Sequence, residues 1–302
     1  MNLPRLVVFG EALTDFIRED AGHWRSVAGG SCWNVARVAA RLGVPTGFAG
    51  TVSRDMLGDE LMALSAEAGL DMRFMCQVDR APLLAMVVSK QPPQYFFVGE
   101  NSADLAFDPA SLPDGWLDAV EIVHVGSLGM VREPLASRLI EVAQAVRDAG
   151  KRISFDPNFR APMADASYRA TLRKMASLAN YIKVSDEDLR GLFPDLDEAA
   201  ALAQLRAWAP TAMVLVTRGA FGMQLLHGDD VFEQPAFPAA VADTVGCGDA
   251  SVGGWMASLL ARPDASAIEH VRHAAACAAV VCTHRGAYAP TMAEVSILGE
   301  RR

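Results

Sequence analysis

The residues with the clearest potential for chemistry lie in a glycine-rich segment late in the chain. Residues 243–254 read Asp-Thr-Val-Gly-Cys-Gly-Asp-Ala-Ser-Val-Gly-Gly and lead into an apolar helical pattern. Backbone N–H groups at such a turn, together with the positive end of a helix dipole, bind phosphate. Asp249 lies at this helix start, where its carboxylate could take a proton from an attacking hydroxyl. A structural role is the alternative, because aspartate favours N-caps and glycine favours turns.

A second glycine-containing segment lies near the start of the chain. Residues 29–36 read Gly-Gly-Ser-Cys-Trp-Asn-Val-Ala and also lead into a helical pattern. Paired glycines let a ligand approach the backbone closely, and Asn34 offers both a donor and an acceptor to hydroxyl groups. The alternative is a glycine turn with Ser31 as the helix cap. Trp33 either stacks on a ligand ring or belongs to the core.

Two common nucleotide-binding motifs are absent from the sequence. A phosphate-binding P-loop needs Gly-Lys followed by Ser or Thr, but Gly150-Lys151 is followed by Arg152. A dinucleotide fingerprint needs three spaced glycines after the first strand, whereas Gly246-Cys247-Gly248 comes late and Ser251 replaces the third glycine. The sequence therefore argues against both classes, including a dinucleotide-dependent oxidoreductase.

Composition narrows the class of protein further. The chain has 302 residues, 51% of them hydrophobic, so it can bury a sizeable core. Its net charge of −9 argues against nucleic acid or an anionic membrane as a partner. The five cysteines form no Cys-x-x-Cys pair, which indicates neither a disulfide framework nor a zinc site. With no signal-peptide pattern and no apolar stretch of about 20 residues, we expect a cytoplasmic protein.

Short apolar runs alternate with helical patterns and must position these segments. The predicted strands are Leu6–Phe9, Gly47–Val52, Val120–Val125, Arg152–Phe155, Tyr181–Val184 and Met213–Thr217. Continuous apolar strands between helices indicate a parallel sheet covered on both faces, so the predicted fold class is α/β.

Two regions interrupt this alternation. Residues 13–27 and 83–98 lack a helical period and are typical of strand pairs, the second turning at residues 91–94. They form either a small separate sheet or an edge hairpin of the main sheet, and composition leaves both open.

Taken together and in order, the segments resemble the ribokinase-like (pfkB) carbohydrate kinases. Gly-Gly-x-x-x-Asn-Val-Ala at 29–36 and Asp-Thr-x-Gly-x-Gly-Asp at 243–249 resemble the paired signatures of that family. Further matching segments occur at residues 10–15, 50–58, 156–160, 183–185, 216–222 and 285–287. Eight collinear segments make the resemblance specific over nearly the whole chain.

The resemblance implies a fold and an activity. The fold would be a single three-layer α/β/α domain over residues 1–302, with a mostly parallel central sheet and a small β-sheet lid from about 12–28 and 83–100. The activity would be transfer of the γ-phosphate of ATP, with Mg²⁺, to a primary hydroxyl of a small sugar such as fructose. Ribose, 2-keto-3-deoxygluconate and nucleosides remain alternative acceptors, and a non-catalytic sensor on the same fold is the alternative outside enzymes. Lids pair between subunits in relatives, which implies a homodimer.

The resemblance also implies roles for individual residues. Asp249 would be the catalytic base, and Gly246, Cys247 and Gly248 would supply the anion hole. The implied substrate-binding residues are Asp15, Gly29, Gly30, Asn34, Asn101, Asp156, Asn158 and Arg160. The implied nucleotide-binding residues are Lys183, Ser185, Thr217, Gly219, Gly222, Gly246, Gly248 and Ala275. Asp188 would act on Mg²⁺ indirectly, and Asp243 and Gly286 lie where some members bind a monovalent cation such as K⁺.

The sequence departs from the family pattern at several of these positions. Gly99 stands where many fructokinases carry an arginine, which makes a phosphorylated substrate less expected. Ser185 and Asp188 replace the asparagine and glutamate of an Asn-x-x-Glu element linked to magnesium. Cys247 replaces an alanine, and this change should be tolerated because only the backbone N–H of residue 247 is needed. Ala275 replaces an asparagine that lies near the adenine in relatives. His124 is expected to be structural, at a strand end.

Overall fold

The computed structural model describes residues 2–20, 22–90 and 93–299. The strands are β1 Leu6–Phe9, β2 Leu13–Arg18, β3 Trp24–Gly29, β4 Thr46–Ser53, β5 Met75–Val78, β6 Leu84–Lys90, β7 Pro93–Val98, β8 Ile122–Gly126, β9 Arg152–Asp156, β10 Tyr181–Ser185, β11 Met213–Thr217, β12 Met223–His227 and β13 Asp230–Gln234. The helices are α1 Ser31–Arg41, α2 Met56–Glu67, α3 Trp116–Ala119, α4 Leu135–Asp148, α5 Tyr168–Leu178, α6 Asp186–Leu192, α7 Glu198–Trp208, α8 Cys247–Ala261, α9 Ala267–Val281 and α10 Met292–Gly299.

The main sheet is mostly parallel, as the sequence predicts. Its order is β13-β12-β11-β10-β9-β8-β1-β4-β5, and only the pairs involving β12 and β13 are antiparallel within the described residues. All six predicted strands are present, with bounds that differ by up to two residues. The pattern missed β5, β12 and β13 at the edges of the sheet. Strand β13 is largely exposed and polar, so it lacks the apolar run of a buried strand.

Helices cover both faces of the main sheet, which confirms the three-layer architecture. In β1, Leu6 and Val8 pack into one core with α1, α8 and α9. Val7 and Phe9 point to the opposite face and pack into a second core with α4, α5 and α7. This alternation follows from the two-residue period of a strand. Each face of the sheet thus buries its own apolar layer.

The two interrupting regions form a separate four-stranded sheet, called the small sheet below. Its order is β3-β2-β6-β7, with β2 parallel to β6 and the other pairs antiparallel. This excludes the alternative of an edge hairpin in the main sheet. Residues 91 and 92 of the predicted turn lie outside the described residues.

His124 is structural, but its predicted position at a strand end is wrong. It lies in the middle of β8, buried, with Nδ1 2.9 Å from the hydroxyl of Ser154. Burial lowers the pKa of His124 to about 3, so the ring stays neutral. The pattern could not show the end of β8, because apolar residues continue on both sides of the histidine.

In the part of the chain that the structure describes, no helix is long and apolar enough to cross a bilayer.

Candidate active site

The predicted site residues collect where parallel strands of the main sheet end. Asp156 is the last residue of β9, Ser185 of β10 and Thr217 of β11, and Ser185 pairs with Thr217 in register. Ligands of open α/β sheets bind in the crevice outside these carboxyl ends. The sheet thus places polar groups from distant parts of the sequence along one edge.

The glycine-rich segment forms the start of α8. Gly246 precedes the helix with φ 80°, and a Cβ there would lie 2.9 Å from Cα of Ala287. Both the backbone conformation and the space therefore require glycine. The first turn of a helix leaves its N–H groups without intrahelical acceptors, and no described side chain caps this one. The geometry is that of an anion-binding helix N-terminus.

Asp249 lies in this first turn and receives two hydrogen bonds from α1. The Ser31 hydroxyl donates to Oδ1 at 2.7 Å, and Nδ2 of Asn34 donates to Oδ2 at 2.8 Å. Burial raises the pKa of Asp249, whereas these two donors lower it. Asp249 is not the N-cap of α8, so the alternative of a capping aspartate is wrong.

Asn34 retains a free acceptor beside Asp249. Its Oδ1 is buried and has no hydrogen-bond partner among the described residues. A buried polar atom without a partner costs free energy and is expected to find one in a complex. The amide therefore bridges the carboxylate of Asp249 and a place where a hydroxyl could donate.

Asp15 projects from the small sheet beside α1. Burial raises the pKa of Asp15 to about 6; Arg160 opposes this shift and the negative Asp249 adds to it. A Cβ at Gly29 would lie only 2.6 Å from Oδ2 of Asp15, so glycine is needed for this approach. Gly30 has φ 114°, and a Cβ there would meet the backbone oxygen of Glu11 at 2.6 Å. Gly29 thus allows the close approach of Asp15, and Gly30 that of the backbone at Glu11.

Residues 156–160 form a tight turn at the end of β9. The backbone N–H of Asn158 donates to Oδ1 of Asp156 at 2.9 Å, and Asn158 has φ 42°. Arg160 donates to Oδ1 of Asn158 at 2.8 Å. This fold-back brings the guanidinium close enough to favour ionisation of Asp15 and Asp249.

Lys183 connects residues 156–160 to residues 246–249 at the start of α8, called the anion loop below. Its Nζ lies 3.2 Å from Oδ2 of Asp156 and 3.4 Å from Oδ2 of Asp188. Burial alone would lower the pKa of Lys183, but the two carboxylates raise it above its ordinary value. The same Nζ would be 3.4 Å from a Cβ at Gly248. A buried ammonium therefore lies against the helix N-terminus.

The departures at Ser185 and Asp188 form a capping box for α6. The Asp188 N–H donates to the Ser185 hydroxyl at 2.9 Å, and the Ser185 N–H donates to Oδ2 of Asp188 at 2.7 Å. The Phe159 N–H donates to Oδ1 of Asp188 at 2.7 Å. Burial would raise the pKa of Asp188, but Lys183 and these donors lower it. Ser185 and Asp188 are therefore hydrogen-bonded to each other in a reciprocal pair. Comparing each residue separately with the family pattern could not show this.

Asp243 and Gly286, which the resemblance assigns to a monovalent-cation site, are in contact. The Gly286 N–H donates to Oδ2 of Asp243 at 3.2 Å, and Oδ1 accepts from the Thr244 N–H at 2.8 Å. Among the described residues, no group of three or more His, Cys, Asp and Glu side chains could hold a metal ion. A cation bound here would need backbone oxygens or phosphate as further ligands.

Three of the predicted nucleotide-binding residues, Gly219, Gly222 and Ala275, make no hydrogen bond with the residues above in the described part of the chain. Gly219 is exposed with φ 51°, and a Cβ at Gly222, which has φ 87°, would lie 2.2 Å from the backbone oxygen of Gln234. Ala275 is buried in α9 and belongs to the apolar core.

Asn101 is exposed, and its oxygen accepts from Arg80 at 3.1 Å. Near Gly99, where the family arginine is missing, Arg132 donates to the Gly99 oxygen and pairs with Asp104 at 3.0 Å. Sequence reasoning missed Arg132, because it lies in another segment of the chain.

Ser31 is the site residue that the motif missed. The residue that precedes α1 is Gly30, so the alternative of Ser31 as a cap is wrong. Its spacing of three from Asn34 is the available signal, because residues three apart share a helix face. Trp33 belongs to the core: it is fully buried and its Nε1 donates to Ser65 at 2.8 Å.

Comparison with known proteins identifies the class to which this fold and site belong. The model of the pfkB family carbohydrate kinases matches residues 3–294. A fructokinase from Klebsiella pneumoniae is 32% identical over 293 residues, covering 94% of each chain. The chain belongs to the pfkB family of carbohydrate kinases, which confirms the resemblance.

Solved structures agree with this assignment. A fructokinase from Xylella fastidiosa with bound ATP superposes with a TM-score of 0.88 at 30% identity, covering 98% of each chain. A Vibrio cholerae fructokinase bound to fructose, ADP and calcium gives a TM-score of 0.87 at 26% identity, covering 99% of each chain. The predicted three-layer kinase fold with a small additional sheet is confirmed.

Proposed function

We propose that this protein is a fructokinase that transfers the γ-phosphate of ATP to a primary hydroxyl of fructose. The observation that carries the proposal is the Asp249 carboxylate in the first turn of α8, between the anion loop and Asn34. The fructokinase names of the relatives support fructose as the acceptor.

The sugar binds between α1 and the small sheet, which acts as its lid. Asp15 accepts hydrogen bonds from sugar hydroxyls, and the unpartnered Oδ1 of Asn34 accepts another. Gly29 and Gly30 allow the sugar close to the backbone, while Asn158, Arg160 and Asp156 border it from the end of β9. Asn101 contacts the sugar only when the lid closes. The whole chain then works as one domain with an inserted lid.

The phosphates bind at the N-terminus of α8. The N–H groups of Gly248 and Asp249 and the ammonium of Lys183 stabilise negative charge on the transferring group, and the Cys247 N–H joins them by giving up its bond to the Thr244 oxygen at 3.3 Å. Asp249 accepts the proton of the attacking hydroxyl as the bond to phosphorus forms. Ser185, Thr217, Gly219 and Gly222 border the rest of the nucleotide, whereas Ala275 is buried in the apolar core and is not part of this border.

Magnesium fits this site through the nucleotide rather than through a protein cage. Bound Mg²⁺ neutralises charge on the phosphates during transfer. Both oxygens of Asp188 already accept hydrogen bonds from backbone N–H groups, so Asp188 contributes indirectly, through water. Asp243 and the backbone at Gly286 form the proposed place for K⁺.

The experiment is a panel of acceptors with MgATP, followed by ADP release. Turnover of fructose well above ribose, 2-keto-3-deoxygluconate and nucleosides is expected. Turnover of another acceptor would correct the substrate, and binding of ATP and sugar without turnover would favour the sensor. Excess chelator should abolish turnover.

The outer face of the small sheet supports a homodimer. Trp24, Phe96 and Val98 are 41%, 54% and 47% exposed and lie on the face opposite Asp15. A second copy of the chain would cover this apolar face. Light scattering should give a dimer, and Phe96→Glu should give a monomer.

A cytoplasmic location is part of the proposal. It is consistent with a supply of ATP and with the five free cysteines. Cell fractionation tests it.

A further inference from the structure

The hydroxyl of Ser31 has a single described acceptor, the carboxylate of Asp249. Ser31 is the first residue of α1, but its side chain does not cap that helix. Instead the hydroxyl donates to Oδ1 of Asp249 at 2.7 Å, across 218 residues of sequence. A buried hydroxyl that donates to a carboxylate stabilises its charged form, because both oxygens of that form accept hydrogen bonds, whereas the protonated form carries an O–H donor.

The second donor, Asn34, lies on the same face of α1. Ser31 and Asn34 are three residues apart, so one helical turn presents both groups. Each binds a different oxygen of Asp249, at 2.7 and 2.8 Å. Two bonds to two oxygens fix the plane of the carboxylate as well as its position. In the proposed function Asn34 also binds a sugar hydroxyl, whereas Ser31 contacts only Asp249 through its hydroxyl.

The electrostatic surroundings explain why this support is needed. Burial raises the pKa of Asp249 and so disfavours its charge, and the charged Asp249 in turn raises the pKa of Asp15. Lys183 and Arg160 oppose this from a greater distance, without a hydrogen bond to the carboxylate. The nearest groups that hold the base ionised are therefore Ser31 and Asn34.

We propose that Ser31 is a positioning residue that orients Asp249 and keeps its carboxylate ionised for proton acceptance. The inference rests on the proposed function, in which Asp249 takes the proton of the sugar hydroxyl. It predicts that loss of the hydroxyl makes the base harder to ionise without removing it.

The test is the pH dependence of kcat for Ser31→Ala, with both substrates saturating and phosphoryl transfer limiting turnover. A hydrogen bond to a charged group is worth about one to two pKa units, so the acid limb should move upward by at least about one pH unit. At pH values below the wild-type limb, kcat should fall by about tenfold relative to the wild type, and above both limbs it should stay within about twofold to threefold. A merely structural role would lower kcat equally at every pH.

Ser258→Ala is the matched control, because Ser258 is also a buried serine whose hydroxyl is hydrogen-bonded, on α8 far from the cleft. Its acid limb should stay in place. An unmoved acid limb in Ser31→Ala would overturn the inference, even if Asp249→Asn is inactive. An active Asp249→Asn would instead overturn the proposed function, so the two failures are distinguishable.

Discussion

At the residue scale, the site contains more carboxylates than nearby cations can fully neutralise. The charged Asp249 raises the pKa of Asp15, while Arg160 lowers the pKa of both aspartates. Asp156 and Asp188 share the single ammonium of Lys183. Burial raises the pKa of Asp156, whereas hydrogen bonds and Lys183 lower that of Asp188. Similar residue types thus acquire different protonation states through their surroundings.

This difference predicts pH-dependent sugar binding. With the pKa of Asp15 at about 6, the carboxylate loses its charge, and one acceptor, as the pH falls below that value. Fructose affinity, measured by calorimetry without ATP, should weaken by about tenfold between pH 7 and pH 5. Asp15→Asn is the control, since it should bind weakly at both values. A variant that still weakens on acidification would assign the effect to another group.

A second carboxylate makes a stability prediction. Glu11 is buried, and its Oε2 accepts from the Gly129 N–H at 2.9 Å. Burial raises its pKa to about 7, above the ordinary 4.5 of the unfolded chain. Between these values the folded state binds more protons, so the stability contributed by Glu11 is complete below pH 4.5 and is lost as the pH rises towards 7.

Urea unfolding of the wild type and Glu11→Gln measures this contribution. Glutamine keeps an acceptor for Gly129 but does not titrate. From pH 5 to pH 8 the wild type should lose roughly 3 kcal/mol relative to the variant. A difference between the two proteins that is constant with pH would show that Glu11 is ionised throughout.

At the element scale, the start of α8 depends on one backbone conformation. Gly246→Ala places a side chain at φ 80° and within 2.9 Å of Ala287. An L-residue in this region costs about 1–2 kcal/mol. If the loop shifts to relieve that strain, kcat/KM for ATP should fall by about 5- to 30-fold.

Gly150→Ala is the matched control for this prediction. Gly150 has φ 72° with nothing within 4 Å of an added Cβ, and it follows α4 away from the cleft. It should lose a similar amount of stability and keep its kinetics. Equal kinetic loss in both variants would mean that strain alone, and not the anion loop, sets the activity.

The elements were predictable to different degrees. Apolar runs located β1, β9 and β11 closely because these strands are buried on both faces. Strands β12 and β13 were missed because their pairing depends on a hairpin at the sheet edge and not on a buried apolar run. The motifs located the start of α8 but could not tell that Asp249 lies inside its first turn.

At the scale of the whole molecule, the site exists only through contacts between distant segments. Ser31 and Asn34 meet Asp249 across more than 200 residues. A single sequence has no periodicity that reports such a contact, so the donors to Asp249 and the approach of Lys183 to Gly248 required the structure. The separation of the small sheet from the main sheet likewise depended on strand pairing that composition left open.

The central claim is that Asp249 is the proton acceptor of a sugar kinase. Asn has nearly the same shape and can still accept one hydrogen bond from α1, but it cannot take the proton. Positioned general-base catalysis is worth about 10²–10⁴ in rate. Asp197→Asn is the matched control: Asp197 caps α7, where asparagine serves as well as aspartate, so its kcat should match the wild type.

The most direct measurement is therefore kcat of Asp249→Asn on the best acceptor, with calorimetry to show that sugar and ATP still bind. We expect kcat to fall by about 10²- to 10⁴-fold while both ligands bind. A variant that keeps more than about a tenth of the wild-type kcat, with phosphoryl transfer limiting turnover, would remove Asp249 from the mechanism.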